Sequence, residues 1–392
     1  MRIIRQIIVL LTLSLVNISF LNAQGEFNNW YFGNNAGVTF NSGSPVALTN
    51  GALNTGEGCA SISDAAGNIL FYTDGMSIYN SNHVTMPNGT GLLGNSSSTQ
   101  SAIIVQQPNS NNLYFVFTVG LSSSGMYYSV VDMTLNGGLG DVTAVKNVML
   151  CSPVTEKVTA INHCNNNDVW VITHLFDSND FYAYLVTNTG INTTPVISSV
   201  GTVHTGSSNA IGYMKASPDG SRIALAVRYM DLVELLDFDN NTGVVSNSMV
   251  LSTSIDHSYG IEFSPDGTRL YASNGLSGGS EVWQWDVSSG VLSTITASQY
   301  LVGTPATGTM GALQLGPDGL IYFVGWGNDH LGSITSPNSL GAACGYIENA
   351  VSLGGHTGNG GLPTFVQKYM YLPADFSFVD TCFGDNTYLF VS

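Results

Sequence analysis

The chain has 392 residues and a formal net charge of −17, with 9% charged residues, 44% hydrophobic residues and 45 glycines. Its nine Lys and Arg stand singly rather than in clusters, which excludes a phosphate backbone or an anionic membrane surface as the partner. No extended stretch carries a helical apolar period, so long helices are excluded and many short strands joined by polar turns are expected.

At the N-terminus, Arg2 and Arg5 precede an apolar run from Ile7 to Leu21, followed by Asn22-Ala23-Gln24. A basic start, a short apolar run and a small-residue site read as a secretory signal peptide spanning residues 1–23. The run is short for a membrane span of about 20 residues. The expected location is therefore outside the cell, with a soluble mature chain.

Next come three segments of one spelling: ASPDGSRIALAV from Ala216, FSPDGTRLYASN from Phe263 and LGPDGLIYFVG from Leu315. Each reads as a β-hairpin, because Pro presets φ and Asp-Gly tolerates the positive φ of tight turns. Weaker copies begin at Cys59, Gln100, Lys157 and Gly360. The last apolar residues before the turns are Ile62, Val105, Ile161, Ala216, Phe263, Leu315 and Phe365, at intervals of 43 to 56 residues. Seven units of about 50 residues match a β-propeller with four strands per blade. Between copies lie two further strand-like runs, as in EVWQWDVSSG and VLSTITAS after the fifth. The seventh copy lacks outer strands, and NNWYFGNNAGVTFNSGSPVAL near the N-terminus has no inner hairpin. The N-terminal run is expected to close the ring by supplying the outer strands of the last blade. The fold class is all-β, a seven-bladed propeller of four-stranded antiparallel blades over residues 24–373.

The stretches NNWYFGNNAG, EGCASISDAAGNILFYTDG, LNGGLGDVT and IGYMKASPDG resemble the propeller region of large secreted surface proteins of gliding bacteria, and the hairpins resemble YVTN-type and WD repeats. The resemblance implies PKD-type modules and a sorting domain after the propeller. Residues 374–392, including Cys382-Phe-Gly-Asp, look like the first strand of such a module, which is expected to be truncated here because a full sandwich needs about 100 residues.

By likeness to other propellers, the loops leading into the inner strands and those between strands two and three share one face, the top, where ligands usually bind. His204, His257 and His356 precede inner strands there, and His174 and His330 follow second strands. Glu57, Asp74, Glu156, Lys157, Arg228, Asp231 and Asp329 map to the same face. Imidazole and carboxylate suit metal binding or acid–base work, but no HxH or HExxH spacing is present. The ligand-binding set expected on this face is Glu57, Glu156, Lys157, His174, Asn209, Arg228, His257, Tyr259, Trp326, His330 and His356. Trp326, in VGWGND, is the best candidate for stacking on a sugar; Trp30, Trp170, Trp283 and Trp285 read as packing between blades.

His163 and Cys164 map to the opposite face, and sequence neighbours rarely have catalytic geometry. Cys151 and Cys164 fall at opposite ends of a strand and are not expected to pair. No cofactor is expected, and a channel-bound Ca or other divalent ion is the one candidate metal. The resulting function is a monomeric, non-enzymatic binding or adhesion module for extracellular protein or glycan. The alternatives are a propeller enzyme, lactonase-like or a metal-dependent polysaccharide lyase with Glu57, Asn209, His257 and His356 around one ion, and a passive spacer.

Overall fold

The computed structural model describes residues 25–275, 280–306 and 308–367, and the strands Ser377–Val379 and Leu389–Val391. The signal-peptide region lies outside the described residues. Within these bounds the chain forms a seven-bladed, all-β propeller.

Blade one is Ala60–Ser63, Ile69–Thr73, Ser77–Asn80 and Thr85–Thr90. Blade two runs Ala102–Gln106, Leu113–Val119 and Met126–Asp132, and its outer position is shared by Asp141–Val142 and Val148–Cys151. Blade three is Val154–Asn162, Val169–Leu175 and Asp180–Thr187, with a similarly divided edge, Gly190–Ile191 and Val196–Ser199. Blade four is Met214–Ala216, Arg222–Val227, Leu232–Asp239 and Val244–Ser252. Blade five is Ser258–Phe263, Arg269–Asn274, Val282–Asp286 and Tyr300–Gly303. Blade six is Met310–Leu315, Ile321–Gly325, His330–Ile334 and Tyr346–Ser352.

The repeated spelling is a turn with a specific job. In Ser217-Pro218-Asp219-Gly220 the Gly220 N–H donates to the Ser217 carbonyl at 2.9 Å, and Gly220 has φ +69. Asp219 accepts from the Ser221 N–H at 3.1 Å. Gly267 and Gly319 repeat this with φ +68 and +78, and in blade three Asn166 takes the same place with φ +57. Gly and Asn are the residues that enter this left-handed region at little cost, so turn chemistry alone sets the hairpin register in these blades.

Blade seven closes the ring. Asn29–Phe32, Ala36–Thr39 and Val46–Leu48 form its three outer strands in that order. Residues 357–366 take the inner position. Asn34 bridges Thr357, the Thr364 N–H donates to the Cys59 carbonyl at 2.9 Å, and the Ala312 N–H donates to the Gly360 carbonyl at 2.9 Å. The C-terminal segment thus joins blade six to blade one. Trp30 packs on Phe365 and on Tyr322 of blade six, and Tyr31 stacks on Tyr72 of blade one at 4.3 Å. Closure buries both faces of a blade that would otherwise expose them.

One expectation fails. VLSTITAS is not a strand: Leu292–Ala297 is a helix, and the outer strand of blade five is Tyr300–Gly303. Ile295 is fully buried and is the only buried residue of the helix, while Leu292 is exposed. Packing that one side chain inward overrides the β-branched content. Of the other tryptophans, Trp30, Trp170 and Trp285 are buried, and Trp283 is half-buried with its Nε1–H on Glu281. At the C-terminus, Ser377–Val379 and Leu389–Val391 pair as an antiparallel hairpin; the remainder of the expected module, Cys382 included, lies outside the described residues.

Candidate functional site: the channel mouth and its surrounding loops

Loops leading into the inner strands converge on the mouth of the central channel. Glu57 stands just before blade one and is 6% exposed. Its Oε2 accepts from the Tyr259 hydroxyl of blade five at 2.5 Å, and its Oε1 from Ser97 Oγ at 3.0 Å. Burial pushes the Glu57 carboxyl up to about 7; these hydrogen bonds and Arg228 oppose the rise, and the Glu156 charge adds to it. A Cβ at Gly361 would overlap the Glu57 carbonyl, so only glycine lets blade seven approach here.

Glu156, at the start of blade three, accepts from the Thr99 N–H at 3.0 Å and from Thr99 Oγ1 at 3.1 Å. Burial raises its carboxyl above the usual range. Lys157 beside it is fully buried, with Nζ donating to the carbonyls of Ala210 at 2.8 Å and Ile211 at 3.1 Å. Desolvation brings its ammonium down to about 7, against the pull of Glu156. Gln100 reaches across to exchange two hydrogen bonds with the Met214 backbone. Deeper in the channel, Lys215 pairs with Glu262 at 3.3 Å and also bonds Gln314. Sequence reasoning missed this lower cluster, although Lys215, Glu262 and Gln314 each sit one residue before the last apolar residue of their inner strands.

The structure therefore brings Glu57, Glu156, Lys157 and Tyr259 together, with Arg228 close enough to act on Glu57. It spreads the histidines. His174 stacks on His204 at 3.8 Å, both fully buried, and none of their four ring nitrogens has a hydrogen-bond partner. Burial takes His174 down to about 3 and His204 well below its ordinary value. His330 Nδ1 meets Asp329 at 2.8 Å, beside a small cavity lined by Met310, Phe323 and Glu348. His356 is half-buried in the loop before the last inner segment. Trp326 is half-buried, with its ring lying against Gly56 and Gly360 and its Nε1–H without a partner, so it is not a free-standing platform.

A turn inside blade four and the loop leading from blade four into blade five form a second assembly. The Arg228–Met230 turn ends at Asp231, whose φ is +53. Asp231 accepts from the His257 N–H at 2.8 Å, and Asp256 lies 2.6 Å from His257 Nδ1. Tyr229, which sequence reasoning passed over, is 52% exposed; the Arg228 guanidinium lies 5.1 Å from its ring centre and His257 meets it edge-on at 4.6 Å. An exposed aromatic after Arg228 was visible in the sequence, but nothing there marked it as exposed. Asn209 lies in the Ser207–Asn209 turn packed against this one, and its Oδ1 is buried without a partner. Among the described residues, Asp231, Asp256 and His257 are the only three His, Cys, Asp or Glu whose ligating atoms all fall within 4.8 Å of one another. Among the described residues, Glu57, His257 and His356 form no such set.

On the opposite face, a cleft of about 460 Å³ is lined by Asn162, His163, Cys164, Asp219, Asn240 and Gln367 among others. Cys164 is exposed, with its thiol 3.6 Å from His163 Nδ1 and 3.2 Å from Asn241. Cys59, Cys151, Cys164 and Cys344 are free thiols. No described helix is long and apolar enough to cross a membrane.

No protein-family model matches the chain, and no curated protein matches it in sequence. Its likeness is to solved propeller structures. The periplasmic gluconolactonase of Pseudomonas aeruginosa aligns at 10% identity, covering 85% of this chain and 98% of that one, with a TM-score of 0.51. A Lactobacillus plantarum protein aligns at 16% identity over 86% and 99%, with a TM-score of 0.51. A Bacteroides uniformis protein described as a candidate 6-phosphogluconolactonase gives 14% identity, 78% and 92% coverage, and a TM-score of 0.50. At such identities the likeness establishes the fold alone.

Proposed function

We propose that the protein is a non-enzymatic binding module that holds an extracellular protein or glycan with the loops around its channel mouth. One observation carries this reading: the acid–base groups of the mouth are engaged with one another and buried. Both Glu57 oxygens are occupied by Tyr259 and Ser97, and Lys157 caps backbone carbonyls. A general base must lie within about 3 Å of the group whose proton it takes, and here protein hydroxyls hold those positions on Glu57. These groups stiffen the ring, and the loops outside them present the contact chemistry. The export reading of residues 1–23 and the resemblance to gliding-bacterial surface proteins support a location outside the cell.

A second reading is favoured by Glu57 alone, whose carboxyl titrates near neutrality, where an acid–base catalyst works best. That reading is a lactonase-type enzyme. The purified mature protein, incubated with a panel of sugar lactones, decides between them. No turnover above the spontaneous rate is expected; turnover abolished by Glu57→Gln would replace the first reading with the second.

A further inference from the structure

We infer that the Arg228–Met230 turn inside blade four and the neighbouring loop from blade four into blade five, which carries His257, form a binding site for a carboxylate-bearing glycan, with Tyr229 as the stacking platform and Arg228 as the partner of the uronate carboxylate. The inference rests on the binding-module reading and names its ligand class.

Arg228 carries the argument. The chain has 26 acidic residues for nine basic ones, and its other described arginines meet an acid: Arg222 with Asp237 at 4.0 Å and Arg269 with Asp286 at 2.7 Å. No ion pair or hydrogen bond joins the Arg228 side chain to another group among the described residues. Its Nε is buried without a partner. A partly desolvated guanidinium with no acceptor is a standing demand for an anion, and its planar fork matches a carboxylate.

Tyr229 supplies the shape. A sugar ring has an apolar C–H face and a rim of hydroxyls. The Tyr229 ring offers one exposed apolar face of that size. Around it stand polar groups rather than a wider apolar patch: His257 at the ring edge, and the unpartnered Asn209 Oδ1 in the adjoining turn. Asp231 accepts from the His257 backbone N–H, and Asp256 lies 2.6 Å from its Nδ1, which is buried and makes no hydrogen bond. Asp231 is thus engaged by the His257 backbone and Asp256 lies against the imidazole, while Arg228 makes no salt bridge of its own and Glu57 is the one acid it acts on among the described residues. A peptide ligand would call for a broader apolar anchor than a single ring.

The experiment is a solution titration at 0.15 M salt with alginate or polygalacturonate oligosaccharides, repeated with the same oligosaccharides after reduction of their carboxyl groups. The expected result is binding that weakens about 10-fold or more on carboxyl reduction and in Arg228→Gln, as for a lost charged hydrogen bond. Tyr229→Ala weakens it comparably, and Tyr229→Phe retains it. The reduced ligands test the carboxylate on the unaltered protein, so a misfolded variant does not obscure the answer. Equal binding of the reduced oligosaccharides, binding untouched by Tyr229→Ala, or no binding at all overturns the inference. If a protein ligand is captured by the same face while no uronate binds, the inference falls and the binding-module reading stands. Lactone turnover removes the underlying reading itself.

Discussion

Acidification should loosen this propeller through the stacked His174–His204 pair. Both rings are buried; burial is the main cause of the depressed His174 value, the Lys157 ammonium adds to it, and the Leu175 backbone and the Asp180 carboxylate oppose it. The unfolded chain gains a proton on each histidine as the pH falls through about 6.5. The folded chain does not protonate His174 until about 3. The folded value is depressed, so stability is lost as pH falls from about 6.5 towards 3. For His174 alone the loss is about 2 kcal/mol between pH 8 and pH 5, and about 4 kcal/mol by pH 3. Glu57 and Lys157 titrate in the same range, so the clean quantity is the difference between the wild type and His174→Phe, which keeps a ring against His204. The variant should gain about 2 kcal/mol on the wild type between pH 8 and pH 5. It should also be more stable at pH 8, because two unpartnered polar atoms are gone. Urea unfolding followed by tryptophan fluorescence measures both. A difference that does not change with pH would refute the reasoning.

Three further outcomes follow from the channel and the cysteines. Tyr259→Phe removes a hydrogen bond that lowers the Glu57 carboxyl, so its titration midpoint, read from the carboxyl infrared band, should rise above about 7; a fall would show that the Tyr259 hydroxyl does not stabilise the charged form. Lys215→Met strands the buried Glu262 and should cost about 3–5 kcal/mol, while Lys215→Met with Glu262→Gln should recover most of it; equal losses in urea unfolding of the two variants would show that the pair is not coupled. Peptide mapping after brief iodoacetamide treatment should find Cys164 labelled well before Cys59, which is fully buried and whose thiol burial pushes up; comparable early labelling of Cys59 would mean the ring opens readily.

Much of the fold is written locally. The Pro-Asp-Gly turns, the seven last apolar residues and the paired strand runs each depend on neighbours a few residues apart, and such short-range chemistry survives reading without a structure. Ring closure was legible for a related reason: one blade lacked outer strands and one run lacked an inner hairpin. VLSTITAS was misread because a single buried Ile295 decides between helix and strand there, and burial is not a local property.

The sequence by itself determined the architecture and the face on which Glu57, Glu156, Lys157, Arg228 and Tyr259 gather. Only the tertiary structure decided their roles. Glu57 and Tyr259 stand 202 positions apart and meet across the channel; His174, in a strand of blade three, stacks on His204, in the loop leading to blade four; Arg228 makes no salt bridge while the other described arginines make one. Whether a charge is paired, buried or exposed depends on how seven blades rotate about a common axis, and that rotation is set by packing between blades rather than by the residues beside each group in the chain.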